Sequence, residues 1–174
     1  FRRWLFRSKF GDPDFTYEQQ MARVFGLESI RMADADVLPL NYEDYGKEIG
    51  SYIETAKKKA AREFGDESPD FAIASAAAHH FEQAGARLLA LQRSASGDLG
   101  TLNRALREAE RAVLISGGLP NRPWYRHAIY APGQYTGYAA VVIPGVNEAI
   151  DKHDLSRTKE QISALAAALD RAAK

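Results

Sequence analysis

The stretch GLPNRPWYRHAIYAPG, residues 118–133, divides a long series of helical patterns from a shorter one. It holds three prolines, three aromatic residues, two arginines and a histidine, and prolines at this density exclude a continuous helix. It lies within an irregular segment near residues 117–145. Segments of this length inside compact domains are either functional or disordered, and this one is too aromatic for disorder.

Four amphipathic helices are predicted before this segment. The first begins near Thr16, which has capping-box spacing with Gln19, and runs toward Asp36. Asn41 together with Asp44 can cap the second helix. Its apolar residues recur at steps of three and four, and these residues are Tyr45, Ile49, Tyr52, Ile53, Ala56 and Ala60.

The remaining helices follow the same kind of pattern. Ser68 as N-cap and Pro69 as first helical residue open a third helix, and a fourth ends at Gly117 and Gly118. Their apolar stripes are Ala77, Phe81, Ala84, Leu88 and Leu91, then Leu99, Leu102, Leu106, Ala109 and Val113. The string PGVNEAI and the residues from Ile162 on predict two more. The sequence therefore predicts an all-α fold, an antiparallel bundle of about four main helices with the Pro/aromatic loop inserted.

Composition excludes several classes of function. Lys plus Arg and Asp plus Glu are both 23, so the chain lacks the positive field of a nucleic-acid-binding protein. Cysteine is absent, which excludes disulfides and thiolate metal sites. No apolar run approaches the roughly 20 residues that span a bilayer, so we expect no direct membrane insertion by this segment.

Histidine and glycine patterns give no complete catalytic set. His79 and His80 are adjacent on a helix and point about 100° apart, so they are expected to be structural rather than to chelate one ion. His153 is expected at a polar surface. His127, inside the aromatic loop, is left open between bracing the loop and serving a site. Since no HExxH, GxSxG or phosphate-binding glycine motif is present, neither catalytic residues nor metal ligands are predicted in this chain.

Two strings carry a family resemblance. FGDPDFTYEQQMARVFGLESIRMADADVLPLNYEDYG, residues 10–46, and GLPNRPWYRHAIYAPGQYTGYAAVVIPGVNEAI, residues 118–150, together resemble the C-terminal helical dimerisation domain of the glutamate carboxypeptidase II and transferrin receptor family. The resemblance implies that residues 10–174 form this domain. Residues 1–9, FRRWLFRSK, are then a lead-in of divergent or artificial sequence, although their alternating arginines and aromatics could also form a membrane-surface helix.

The resemblance also implies a setting for the domain. It would form a homodimer beside a protease-like domain and an apical domain of the same parent chain, in the ectodomain of a single-pass membrane protein, extracellular or lumenal to a compartment such as the vacuole. Two zinc ions would be held by the protease-like domain and none by this chain. The domain itself would be inactive, and the parent a zinc-dependent carboxypeptidase-like hydrolase.

The same resemblance assigns a role to the loop, which would reach the substrate pocket of the protease-like domain. A Lys-Tyr pair that binds the substrate's terminal glutamate in glutamate carboxypeptidase II corresponds to Gly137 and Tyr138. Tyr138 can donate a hydrogen bond to a carboxylate, whereas Gly137 brings no charge. The loop-bracing residues are expected to be Trp124, Tyr125, Arg126, His127 and Tyr130, with the three aromatic rings buried against the bundle or a neighbouring domain.

Two other functions stay open from the sequence. The chain could be the dimerisation domain of a nonenzymatic receptor or membrane-protein sorting factor of the same family. It could also be a free-standing helical adaptor. The alanine-rich third helix, FAIASAAAHHFEQAGARLLALQ, has small residues on more than one face, which permits the close helix approach that a dimer needs.

Overall fold

A computed structural model describes residues 11–135 and 137–174. The lead-in expected at residues 1–9, and the membrane-surface helix considered for it, lie outside the described residues. The chain forms two compact units that meet in sequence between Pro39 and Leu40.

The first unit contains helix α1, Thr16–Ala33, none of whose residues is buried within this chain. The predicted capping box at Thr16 is wrong. Phe15 is the N-cap and makes no capping bond, while the carboxylate of Asp12 accepts the N–H of Glu18 at 2.9 Å. The N–H of Gln19, which the Thr16 hydroxyl had been expected to accept, donates instead to the Phe15 carbonyl at 2.9 Å.

The second unit is the predicted bundle. Its helices are α2 (Tyr42–Phe64), α3 (Ala72–Arg93), α4 (Leu99–Ala112), α5 (Pro144–Asp151) and α6 (Leu155–Ala172). Helix α3 packs between α2 and α6, and α6 also contacts α4 and α5. The largest fully buried side chains include Ile49, Ile53, Phe71, Phe81, Leu106, Ile129, Ile150, Ile162 and Leu169. The mostly helical architecture confirms the predicted fold class.

The predicted start of α3 is wrong by a few residues. A 3-10 turn, Gly65–Glu67, extends the end of α2, and the N–H of Ser68 bonds to that turn. Helix α3 begins at Ala72, whose N–H is accepted by the Asp70 carboxylate at 2.8 Å. The chain stays non-helical through Phe71. This residue is only 2% exposed and is part of the core.

The apolar stripe predicted for α3 is also wrong toward the C-terminal end of the helix. Phe81 and Ala77 are buried as expected, but Leu91 is 59% exposed and Gly85 is buried instead. A Cβ added to Gly85 would lie 2.4 Å from the backbone N of Glu43. Helices α2 and α3 thus approach so closely that only glycine fits at this position.

The irregular segment contains a short antiparallel hairpin that the sequence did not predict. Strand β1, Tyr130–Pro132, pairs with strand β2, Ala140–Val142, with Ala131 opposite Val141. The N–H of Ile143 then donates to the carbonyl of Ile129 at 2.7 Å. The hairpin leads directly into α5, so its base is fixed to the bundle, while residues 134, 135 and 137–139 between the strands are exposed.

Candidate functional site at the hairpin tip

The hairpin tip, residues 133–139, presents aromatic side chains without charge. Tyr138 is fully exposed and Tyr135 is 87% exposed. No residue between His127 and Glu148 in the sequence carries a charged side chain. The tip can therefore offer phenol hydroxyl groups and apolar surface to a ligand or to another domain, and it offers no cation.

An aromatic cluster on α2 supports the start of β1. The ring of Tyr130 stacks on Tyr45 with centroids 6.1 Å apart and 6° between the planes. Its edge meets Tyr52 in a T-shaped contact, and the two hydroxyl oxygens are 3.1 Å apart. These contacts fix the base of the hairpin to the face of α2 that also carries the buried Ile49 and Ile53.

His127 ties the loop to α4. Its Nδ1 accepts the N–H groups of Ile129 at 3.2 Å and Tyr130 at 3.1 Å. Its Nε2 lies 2.8 Å from a carboxylate oxygen of Glu110, so the proton is assigned to Nε2, which donates to Glu110. Because both ring nitrogens are engaged, the geometry favours the bracing role over a ligand role for His127.

The phenols of this cluster are unsuited to acid-base chemistry near neutral pH. Burial raises the pKa of Tyr45 above its usual range, and the negative charge of Glu110 raises it further. Burial likewise raises the pKa of Tyr130, with a contribution from its hydrogen bond to Tyr52. Both hydroxyls therefore stay protonated, and the cluster acts as a support.

Arg122 is a buried residue that the sequence analysis did not include among the candidate site residues. It is only 5% exposed, and its Nη1 donates to the carbonyl of Pro132 at 2.5 Å. Its Nη2 pairs with the carboxylate of Glu148 on α5, and the guanidinium lies 5.2 Å from the ring centre of Tyr125. Glu148 lies in the PGVNEAI string, but nothing in a separation of 26 residues indicates that it contacts Arg122.

The ion pair between Arg122 and Glu148 is desolvated at both ends. The side chains are 6% and 15% exposed. Burial raises the pKa of Glu148 above its usual value, and the nearby guanidinium only partly opposes this effect. Breaking such a pair by removing one partner leaves a buried charge without compensation.

The other proposed bracing residues lie nearer the surface. Trp124 is 71% exposed and contacts Tyr125 at 6.3 Å between ring centres, so its expected burial against the bundle is wrong for this chain. A turn in which Tyr125 N–H bonds to the Arg122 carbonyl directs the indole outward. Burial against a neighbouring domain stays a prediction. Arg126 donates from Nε to the carbonyl of Ile115 at 3.2 Å.

Each histidine faces a different carboxylate. The distances are 3.5 Å for His79 and Glu82, 3.3 Å for His80 and Asp170, 2.8 Å for His127 and Glu110, and 3.5 Å for His153 and Glu63. Across residues 11–135 and 137–174, no three acidic or histidine side chains are grouped to hold a metal ion. No helix in the same part of the chain has the length and apolar character to cross a membrane.

Comparison with known proteins gives a consistent match. The family model described as transferrin receptor-like dimerisation domain matches residues 55–174. A probable glutamate carboxypeptidase of Arabidopsis thaliana, LAMP1, is 37% identical over 162 residues, which are 90% of this chain and 22% of the relative. A probable glutamate carboxypeptidase of Arthroderma benhamiae is 33% identical over 91% of this chain and 22% of its own length.

A third relative differs in its described activity. An inactive zinc metalloprotease of Schizosaccharomyces pombe is 32% identical over 75 residues, which are 43% of this chain and 9% of that protein. The chain spans about a fifth of the length of the carboxypeptidase relatives that it matches.

Proposed function

Because the chain belongs to the transferrin receptor-like dimerisation domain family, we propose that it is the homodimerisation domain of a longer zinc metallopeptidase-like protein of the glutamate carboxypeptidase type. The match over residues 55–174 carries this proposal, and the names of the two carboxypeptidase relatives support it. In this proposal the chain has no activity alone. The two zinc ions and the catalytic groups belong to a protease-like domain elsewhere in the parent.

The hairpin tip is proposed to complete the substrate pocket of that domain. The exposure of Tyr138 at the end of a supported hairpin is the observation that favours this role. Tyr138 would donate a hydrogen bond to a carboxylate of the substrate. Because Gly137 and its neighbours bring no positive charge, a preference for a glutamate side chain does not follow from this part of the pocket.

Other exposed apolar surfaces are proposed to face the protease-like and apical domains. On α1 the exposed apolar side chains are Tyr17, Met21, Val24, Phe25, Leu27, Ile30 and Met32. Trp124 is a second such surface. Exposed apolar side chains in this number on one helix are typical of a surface that another part of the protein covers. Placement in an ectodomain, extracellular or lumenal, rests on the family resemblance.

A nonenzymatic role is the second candidate. The Schizosaccharomyces pombe relative described as an inactive zinc metalloprotease favours it, because that protein shares part of this domain. The full-length parent distinguishes the two candidates. A set of His, Asp and Glu ligands for two zinc ions in its protease-like domain favours the peptidase, and loss of that set favours a receptor or sorting factor.

Tyr138→Phe in the full-length protein is the test of the pocket role. We expect KM for peptide substrates to rise about tenfold or more with kcat within about twofold, since a hydrogen bond to a charged group contributes about 1.5–3 kcal/mol. Tyr135→Phe removes the hydroxyl of the other exposed tyrosine of the hairpin tip and is the matched control. An unchanged KM in Tyr138→Phe, measured by steady-state kinetics, would rule the pocket role out.

Sedimentation velocity tests the assembly. We expect the full-length protein to be a dimer at micromolar concentration, since twofold dimers are the commonest homo-oligomers and stable interfaces bury roughly 1,200–2,000 Å². The isolated chain is expected to dimerise more weakly, because other domains contribute to the contact. A monomeric full-length protein would contradict the assignment.

A further inference from the structure

Arg122 connects the two parts of the chain that determine where the hairpin tip lies. Pro132, whose carbonyl accepts from Nη1, is the last residue of β1 and adjoins the tip. Glu148, which pairs with Nη2, lies on α5, and its side chain is only 15% exposed. One buried side chain thus joins the far end of the strand to a core helix.

The hairpin needs such a connection because its own pairing is minimal. Each strand has three residues, and a two-stranded hairpin is marginally stable by itself in water. The aromatic cluster fixes Tyr130 at the near end of β1. Among the described side chains, Arg122 is the one that donates to the backbone at its far end.

The guanidinium suits this task better than an ammonium group. Its planar fork presents several N–H donors in fixed directions, so two acceptors on different elements are held in one geometry. The guanidinium therefore fixes the orientation of the tip relative to α5, in addition to holding the two together. A lysine would retain the charge beside Glu148, but as a point charge it would not hold both acceptors in that geometry.

We propose that Arg122, with Glu148 as its counter-charge, is a positioning residue that sets the orientation of the hairpin tip on the bundle. It contacts no substrate and acts through the backbone of β1. The consequence for substrate binding rests on the proposed pocket role of Tyr138. The positioning itself does not.

Hydrogen exchange in the full-length protein tests the positioning directly. Arg122→Lys is expected to raise exchange at the Gly133 amide, which donates to Ala139 across the hairpin, by about tenfold or more, the effect of losing one well-made hydrogen bond to a charged donor. Amides of α2 near Ile53 are expected to be unchanged. Arg104→Lys, at an exposed arginine of α4 outside the loop, is the matched control and should leave the hairpin unaffected.

The outcomes separate this inference from the pocket role. A rise confined to the hairpin supports the inference, and Arg122→Met should show a larger one if that variant folds. Unchanged exchange in Arg122→Lys, or an equal rise throughout the domain, overturns it. A confined rise accompanied by a higher KM at constant kcat supports both proposals. A confined rise with unchanged KM keeps the positioning role and refutes the pocket role of the tip.

Discussion

Phe81→Ala is expected to lower the free energy of unfolding of this chain by about 3–5 kcal/mol, the usual cost of removing a buried phenylalanine. Phe81 is 2% exposed, and its ring meets Tyr42 and Tyr45 edge-on with centroids 6.0 and 6.1 Å away. Removing it leaves a cavity between α2 and α3 and releases both tyrosines. Tyr45 in turn stacks on Tyr130, so the support of the hairpin is weakened as well.

Urea unfolding followed by circular dichroism measures this effect. Ile73→Ala, also on α3 but 53% exposed, is the matched control and should cost less than about 1 kcal/mol. A cost for Phe81→Ala as small as that of the control would mean that the contact between α2 and α3 is not the principal core of the domain.

Gly85→Ala is expected to destabilise the chain by about 1–3 kcal/mol or more, although alanine is the better helix former. The added Cβ would lie 2.4 Å from the backbone N of Glu43 and 2.6 Å from the carbonyl oxygen of Tyr42. These are backbone atoms at the start of α2, so the clash cannot be relieved by the movement of a side chain. The two helices must separate, and the core around Phe81 loosens with them.

The same glycine-to-alanine substitution at Gly50 is expected to have the opposite effect on stability. Gly50 lies in α2, and no atom lies within 4 Å of its added Cβ. Alanine there should raise stability by about 0.5–1 kcal/mol through helix propensity alone. Differential scanning calorimetry of both variants gives the comparison. A melting temperature of Gly85→Ala at or above that of the unsubstituted chain would contradict the close approach of α2 and α3.

The sequence predicts those parts of the fold that depend on local chemistry. The Asn41 cap is confirmed, since its side chain accepts the N–H of Asp44 at 3.1 Å. The stripe of Ile49, Ile53, Ala56 and Ala60 is buried as the periodicity of α2 indicates. In both cases the determining partners lie within a few turns of one helix, so spacing alone contains the information.

The features that the sequence did not predict depend on contacts between distant residues. Helix α3 begins late because Phe71 is buried, and burial is not visible in the string ESPD. The hairpin has too few residues for a period-two pattern. No sequence spacing predicts that Arg122 pairs with Glu148. The string that contains both residues was recognised only through the family resemblance.

The candidate site shows the same division. Tyr138 was identified by resemblance and is exposed at the hairpin tip, and its pocket role is a proposal that involves a protease-like domain of the parent. Trp124 was expected to be buried because aromatic rings usually are. It lies in a turn closed by one backbone hydrogen bond, from the N–H of Tyr125 to the carbonyl of Arg122, which composition does not reveal.

The aromatic cluster under β1 also bears on the order of folding. Tyr130 contacts Tyr52 across 78 residues of chain, whereas α2 and α3 are neighbours in sequence and joined by a short turn. Closing the longer loop costs more entropy, and its partners on α2 are in place only once that helix is packed. We therefore expect the helical pair to form early and the hairpin to dock late, so that the tip takes up its position on a framework that has already folded.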